Sequence, residues 1–203
     1  MILEYLQPDA SILDGITVII RALYYIATIG AAGLAIFAIG FEHRLEAHEA
    51  ARLRRTLLGA ILAGLALSLL ALILRVLVLT AGANISDPNV WAAVMRSLIG
   101  DAFWLRTAGL VLLAAMVTNW RIRSAMTAIG ALLMLASYAA MGHSMLFAPR
   151  QEIAALVVLH LAVVSFWVGS LPPLLWVARR PNGISAVSLI QDWSRAAIWS
   201  VMI

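Results

Sequence analysis

The most constraining feature of this sequence is a series of long, uninterrupted apolar segments. The hydrocarbon core of a membrane is about 30 Å thick and requires about 20 apolar residues for each helical crossing. Only 12% of the residues are charged and 64% are hydrophobic, which leaves too little polar surface to cover a water-soluble domain of 203 residues. The sequence therefore predicts an all-α fold, a polytopic transmembrane helical bundle. Its five full spans are expected at residues 21–41, 57–81, 103–117, 125–142 and 153–177.

A sixth apolar segment opens near Ala196 and stops at Ile203. Its few turns cannot cross a bilayer, because the backbone groups of a helix that ends in hydrocarbon would lack hydrogen-bond partners. We interpret this segment as the start of a sixth span. We therefore expect residues 1–203 to form a single transmembrane domain that is incomplete at its C-terminus.

Arginine is distributed unevenly between the two sides that these spans define. Positive side chains collect in cytoplasmic loops, and the chain has no Lys, so Arg carries the whole signal. The loops on one side hold nine Arg and those on the other side hold two. The nine are Arg44, Arg52, Arg54, Arg55, Arg121, Arg123, Arg179, Arg180 and Arg195, and the two are Arg96 and Arg150. We expect a periplasmic N-terminus; the net charge of +4 follows from the asymmetry and indicates no nucleic-acid partner.

Three Arg residues remain: Arg21 begins the first predicted span, and Arg75 and Arg106 fall within spans near their outer ends. Long side chains in such positions usually extend to the membrane interface, where the charge stays hydrated. An Arg that lined an ion pathway would need a paired acid, and Asp101 is the nearest to Arg106 in sequence. We expect both side chains to reach the interface.

Local signals also predict helices outside the spans and one close helix contact. Asp87 precedes Pro88, so Asp87 can cap a short interfacial helix that begins at Pro88. The charged connection 42–55 has the pattern of a solvated helix. Gly169 and Ser170 are small enough to allow a neighbouring helix to approach closely.

Methionine and histidine gather at the periplasmic side of the fourth and fifth spans. The residues are Met134, Tyr138, Met141 and Met145 at helical spacing, His143 after Gly142, and His160 inside the fifth span. An imidazole within hydrocarbon is costly unless it faces a cavity or a partner, so His160 is a candidate functional residue. At 1.5 Å per residue, His160 lies about 12 Å below the start of its helix, and Met134 lies at a similar depth.

This pattern favours a site for a soft metal ion. Cysteine is absent, so soft-metal ligands must come from thioether and imidazole groups, a set that suits Cu(I) better than Cu(II). We predict an upper tier of Met141, His143 and Met145, and a lower tier of His160 and Met134. Copper is the expected cargo.

Three other readings fit the same residues. Methionine is a common gap filler, so the stripe can be packing, and His160 can hydrogen-bond to a neighbouring helix. A b-type cytochrome, in which His160 and Met134 ligate haem, is the alternative function. A membrane scaffold that transports nothing is another. No hydrolase, transferase or nucleotide-binding motif is present, so we expect no enzyme.

Several separated stretches of the chain resemble the copper resistance protein D family of bacterial inner-membrane proteins. Gly142 and His143 end the fourth span, and Leu159 and His160 precede a stretch at 167–171; together they are similar to a paired signature of that family. Similar stretches occur at 21–25, 100–106 and 193–196. The resemblance implies a multi-pass inner-membrane protein of copper homeostasis that passes copper from periplasm to cytoplasm, beside a periplasmic copper-binding partner. It assigns metal roles to His143 and His160, and it does not give the oligomeric state.

Overall fold

The computed structural model describes residues 7–80, 85–140, 150–180 and 183–202, and the side chains of 15–80, 85–140, 151–180 and 186–202. These residues form seven α-helices and two short 3₁₀ turns, with no strand among them. The helices are α1 Gln7–Phe41, α2 Ala47–Leu79, α3 Pro88–Met95, α4 Leu98–Leu113, α5 Arg123–Ala139, α6 Arg150–Ala178 and α7 Gly183–Val201. The 3₁₀ turns are Glu42–Arg44 and Ala114–Val117. The predicted all-α fold is confirmed.

Four helices in the described part of the chain are long and apolar enough to cross a membrane. They are Gly15–Arg44, Ala47–Leu79, Leu98–Val117 and Gln151–Ala178. The predicted span at 125–142 corresponds to α5, which has 17 residues up to Ala139. At 1.5 Å per residue, α5 is about 25 Å long and falls short of the hydrocarbon thickness. The chain is therefore a multi-pass membrane protein, and the predicted count of five spans is not confirmed.

The predicted interfacial helix at Pro88 is present, whereas the charged connection 42–55 does not form a separate helix. The Asp87 side chain caps α3 by accepting a hydrogen bond from the Asn89 backbone N–H at 2.8 Å. Helix α3 packs its buried Val94 against Leu72 and Val76 of α2, so α3 covers one end of the bundle. The charged connection is a turn that leads directly into α2, where Glu46 and Glu49 form a capping box.

Helix α7 begins at Gly183, thirteen residues before the predicted apolar segment at Ala196. The earlier start follows from the first half of the helix, where Ala186 and Leu189 are buried while the polar Ser188 and Gln191 are exposed. The length of an apolar segment therefore underestimates the length of an amphipathic helix.

Glycine allows two pairs of helices to approach backbone to backbone. A Cβ added to Gly33 of α1 would lie 2.8 Å from the Cα of Gly169 of α6, so neither position has room for a side chain. Helices α4 and α5 meet in the same way, since a Cβ on Gly109 would lie 2.6 Å from the Met134 nitrogen. The predicted close contact at Gly169 is confirmed.

Ion pairs gather at one end of the bundle. Arg54 Nε donates to Glu42 Oε1 at 2.6 Å, and Arg123 lies 3.1 Å from the other carboxylate oxygen of Glu42. Arg180 pairs with the buried Glu49, and this carboxylate raises the pKa of the Arg180 guanidinium. These contacts bring together three loops that the arginine distribution places on one side of the membrane.

Candidate functional site

The opposite end of the bundle holds a buried arginine among tyrosines. Arg106 of α4 is only 7% exposed. Its guanidinium carbon lies 4.6 Å from the ring centroid of Tyr24 on α1 and 5.2 Å from that of Tyr138 on α5. Tyr25 completes the aromatic group, with its ring centroid 5.4 Å from that of Tyr138. We call Arg106, Tyr24, Tyr25, Thr28 and Tyr138 the arginine–tyrosine cluster.

Helix periodicity and close packing build this cluster. Thr28 lies one turn after Tyr24, and its hydroxyl donates to the Tyr24 carbonyl at 2.7 Å. Because the Thr28 hydroxyl hydrogen is used in that bond, Thr28 Oγ1 accepts the hydrogen bond that it shares with the Tyr138 hydroxyl. Gly109 follows Arg106 by one turn and draws α4 onto α5, which places the guanidinium over Tyr138.

The expectation that Arg106 reaches the membrane interface is wrong, and the same expectation for Arg75 stays a prediction. Arg75 is exposed on α2, whereas the Arg106 side chain is folded into the core. Asp101, the acid nearest to it in sequence, is exposed and five residues away, which places it on another face of α4. The close approach at Gly109 and the two aromatic rings explain why Arg106 is held inward.

The predicted metal-binding residues are distributed between described and undescribed parts of the chain. Met141, His143 and Met145 lie outside the described residues, between the end of α5 and the start of α6. Met134 is fully buried in α5, where its backbone meets Gly109 of α4. His160 is exposed on α6. The two members of the predicted lower tier therefore differ in surroundings, one packed against α4 and the other on an open face.

The positive charge of Arg106 also disfavours a cation at Met134. Met134 lies one turn before Tyr138, and Tyr138 contacts the Arg106 guanidinium. A cation bound at Met134 would therefore be repelled by the positive charge of Arg106. This repulsion and the complete burial of Met134 favour packing as its role.

No group of three or more His, Asp or Glu residues in the described ranges is arranged to hold a metal ion. The face of α6 that carries His160 continues to Trp167, whose indole N–H donates to Ser200 of α7 at 3.0 Å. Trp167 thus has a packing contact with α7.

Residues 12–147 match the family model described as copper resistance protein D-like, N-terminal domain. The chain belongs to this family. No curated protein and no solved structure matches it. The match covers two thirds of the copper resistance protein D-like chain and includes His143, Met134 and the whole arginine–tyrosine cluster. His160 and the stretch at 167–171 lie beyond it, so the second half of the paired signature stays a prediction.

The match is to a copper resistance family and gives no support to the haem alternative. Haem binding by His160 and Met134 would require both side chains to face one iron from opposite sides. A buried Met134 on the α4 side of α5 and an exposed His160 on α6 do not favour that geometry. The haem alternative is therefore not supported.

The arginine–tyrosine cluster is the part of the site that the sequence reasoning missed. A charged residue inside an apolar segment is itself a signal of function. Arg106 is such a residue. Its position near the predicted end of a span led to the expectation that its side chain would reach the membrane interface, so a role inside the bundle was not considered.

Proposed function

We propose that this copper resistance protein D-like chain passes Cu(I) across the bacterial inner membrane, from the periplasm toward the cytoplasm. The observation that carries the proposal is the family match over 12–147, because that range includes Met141, His143 and Met145. These residues offer two thioethers and one imidazole, neutral soft ligands from which a monovalent ion can move on.

The proposed route has two stages. Cu(I), delivered by a periplasmic copper-binding protein, is captured at Met141, His143 and Met145, and is then passed to His160 on α6. The positive charge of Arg106 disfavours a route through the interior between α1, α4 and α5. His160 lies on an exposed face of α6, outside the tight packing of these three helices.

The test compares histidines at the two ends of the bundle. His143→Ala and His160→Ala are assayed singly and together for Cu(I) binding by titration and for Cu(I) entry into proteoliposomes. His48→Ala is the matched control, because His48 lies at the ion-paired end, is 73% exposed and pairs with the exposed Glu46.

We expect His160→Ala to abolish entry while binding is partly retained, and His143→Ala to weaken binding itself. The control should behave as the parent. If the double variant leaves both binding and entry unchanged, neither histidine carries copper and the proposed route is wrong. A parent protein that gives no entry at all would favour the scaffold. Equal loss of binding and entry in His160→Ala would contradict the order of the two stages.

A further inference from the structure

A cavity of about 220 Å³ lies between α2 and α6, at the ion-paired end of the bundle. Its lining holds three arginines, two glutamates, His48 and Trp176. With His48 neutral, three positive and two negative charges leave one net positive charge in the described lining. The cavity is many times larger than the space that one water needs, and the exposed Arg52 lies at its opening. It therefore has room for a small charged group.

Both glutamates of the lining are directed to one arginine. Arg180 Nε donates to Glu49 Oε1 at 2.9 Å and lies 3.6 Å from Glu46 Oε1. Arg52 and Arg179 form no ion pair within the described residues. The excess positive charge of the cavity therefore belongs to these two side chains.

The Arg52 guanidinium is held in place by an aromatic ring. Its central carbon lies 4.5 Å from the ring centroid of Trp176. Stacking uses the face of the guanidinium plane and leaves the N–H groups at the edge of that plane available. Such an edge can bind two phosphate oxygens through parallel hydrogen bonds. The stacked Arg52 is therefore a phosphate-binding group that is already ordered.

Arg52 lies at the depth of the lipid headgroups. Helix α2 has 33 residues and is about 50 Å long, which exceeds the hydrocarbon thickness by about 20 Å. Arg52 precedes the uninterrupted apolar stretch 57–67 by five residues, or about 7 Å along the helix. This distance matches one headgroup layer, which is about 5 to 7 Å thick. Its partner Trp176 is of the residue type enriched at membrane interfaces.

The helix surfaces that lead from the cavity into the membrane are apolar and exposed. On α2, Gly59 and Ala63 follow Arg52 on the same face and are exposed. On α6, Leu171 and Leu175 are 59% and 52% exposed. Exposed apolar groups in a spanning helix contact acyl chains. A phosphate at Arg52 can therefore belong to a lipid that also contacts these surfaces, which a free phosphate ion could not use.

We propose that the cavity between α2 and α6 binds the phosphate of one anionic phospholipid, with Arg52 as the anchor. Basic pockets between membrane helices bind anionic headgroups, and the net positive charge favours a negative lipid over a zwitterionic one. The bound lipid bridges α2 and α6. The proposal does not rest on the copper route, because the cavity lies at the opposite end of the bundle from the arginine–tyrosine cluster.

The first test follows thermal unfolding of the whole purified chain in detergent, without copper. Phosphatidylglycerol, phosphatidylcholine with the same acyl chains, and inorganic phosphate are added separately. A ligand that binds only the folded state raises the unfolding temperature by about 3 to 6 °C at ten times its Kd. We expect this rise with phosphatidylglycerol alone. No rise with phosphatidylglycerol, or an equal rise with either of the other two, would overturn the proposal.

Two arginine variants test the anchor. Arg52→Gln should raise the Kd for phosphatidylglycerol about tenfold or more, because it removes the charge-assisted hydrogen bonds to phosphate. Arg121→Gln is the matched control, since Arg121 is exposed at the same end of the bundle and lies outside the cavity lining. The control should keep the parent Kd. Equal weakening in both variants would show attraction to surface charge in general and would overturn the site.

A second measurement needs no variant. Mass spectrometry of the intact parent protein, released from detergent with both lipids and inorganic phosphate at equal concentrations, identifies the bound species by its mass. We expect one retained phosphatidylglycerol. Equal retention of phosphatidylcholine, retention of phosphate alone, or no retained lipid would contradict the proposal. Neither measurement involves copper, so failure here leaves the copper proposal intact, and failure of the copper assays leaves the lipid site intact.

Discussion

Gly33 of α1 and Gly169 of α6 lie backbone against backbone, so that a Cβ on Gly33 would come within 2.8 Å of the Gly169 Cα and would also overlap the backbone of Ser165. Membrane helices associate through close packing of small residues of this kind, since lipid is as apolar as the helices themselves. The pair therefore sets the distance between α1 and α6, and α6 carries His160.

Gly33→Ala should destabilise the bundle by about 1 to 3 kcal/mol, because backbone atoms cannot move aside as a flexible side chain can. Gly30→Ala, nearly one turn earlier on α1, is the matched control: its Cβ would meet nothing within 4 Å, and alanine favours the helix. Thermal unfolding of the two variants checks the prediction. Equal stability of both would show that the contact at Gly33 does not hold α1 against α6.

Much of the fold could be predicted from the sequence. Apolar length predicted helices α1, α2, α4 and α6, and the Asp87 and Pro88 pair predicted the start of α3, because caps and long apolar segments act locally. Helix α7 was placed thirteen residues late because its first half is amphipathic and not uniformly apolar. The partner of Gly169 could not be predicted, since nothing in the sequence assigns it to Gly33.

The site was less predictable for a related reason. Sequence spacing placed Met134 and Tyr138 on one stripe, and both do lie in α5 near the described end of the helix. The spacing gave no indication that α4 would pack against Met134 at Gly109, or that Arg106 would then lie over the Tyr138 ring. Contacts between distant helices decide whether a stripe faces a pathway or a neighbour.

The ion pair between Arg180 and Glu49 should contribute to stability. Arg180 Nε donates to Glu49 Oε1 at 2.9 Å, and the two side chains are 6% and 2% exposed. Arg180→Gln leaves a buried carboxylate without its main partner and should cost about 3 kcal/mol, the low end for such pairs, because a cavity of about 220 Å³ beside the pair can admit water.

Arg179→Gln is the control for this change, since Arg179 is the exposed neighbour of Arg180. Its unfolding temperature should match that of the parent protein. The double variant Arg180→Gln with Glu49→Gln should recover part of the loss, because it removes the unpaired charge. A double variant as unstable as the sum of the two single ones would contradict direct pairing.

The hydroxyl of Tyr138 should stabilise the arginine–tyrosine cluster through Thr28. Tyr138→Phe removes this hydrogen bond between α5 and α1 but keeps the ring beneath Arg106, so we expect a loss of about 1 kcal/mol. Tyr25→Phe is the control because Tyr25 is 41% exposed, and it should change stability by less than about 0.5 kcal/mol. Equal effects of the two substitutions would argue against the Thr28 contact.

Met134→Leu should leave Cu(I) entry unchanged. Met134 is fully buried and packs against α4, and leucine has a similar volume, so stability should fall by less than about 1.5 kcal/mol. In the same assay, Met141→Leu and Met145→Leu should weaken capture, since each removes a proposed thioether ligand. If Met134→Leu lowers entry as much as these two, Met134 belongs to the pathway after all.

Single cysteines should report the orientation of the chain, because the sequence contains none of its own. The arginine distribution places His43 and Trp120 on the cytoplasmic side, and Asn89 and Gln151 on the periplasmic side. All four positions are exposed in the structure. A membrane-impermeant maleimide applied to intact spheroplasts should therefore label Asn89→Cys and Gln151→Cys, and should label the other two only after permeabilisation. The reverse pattern would invert the topology and with it the direction assigned to capture. Trp120 and Gln151 flank α5, so labelling of both from the same side would show that α5 does not cross the membrane, and labelling from opposite sides would establish it as the fifth span.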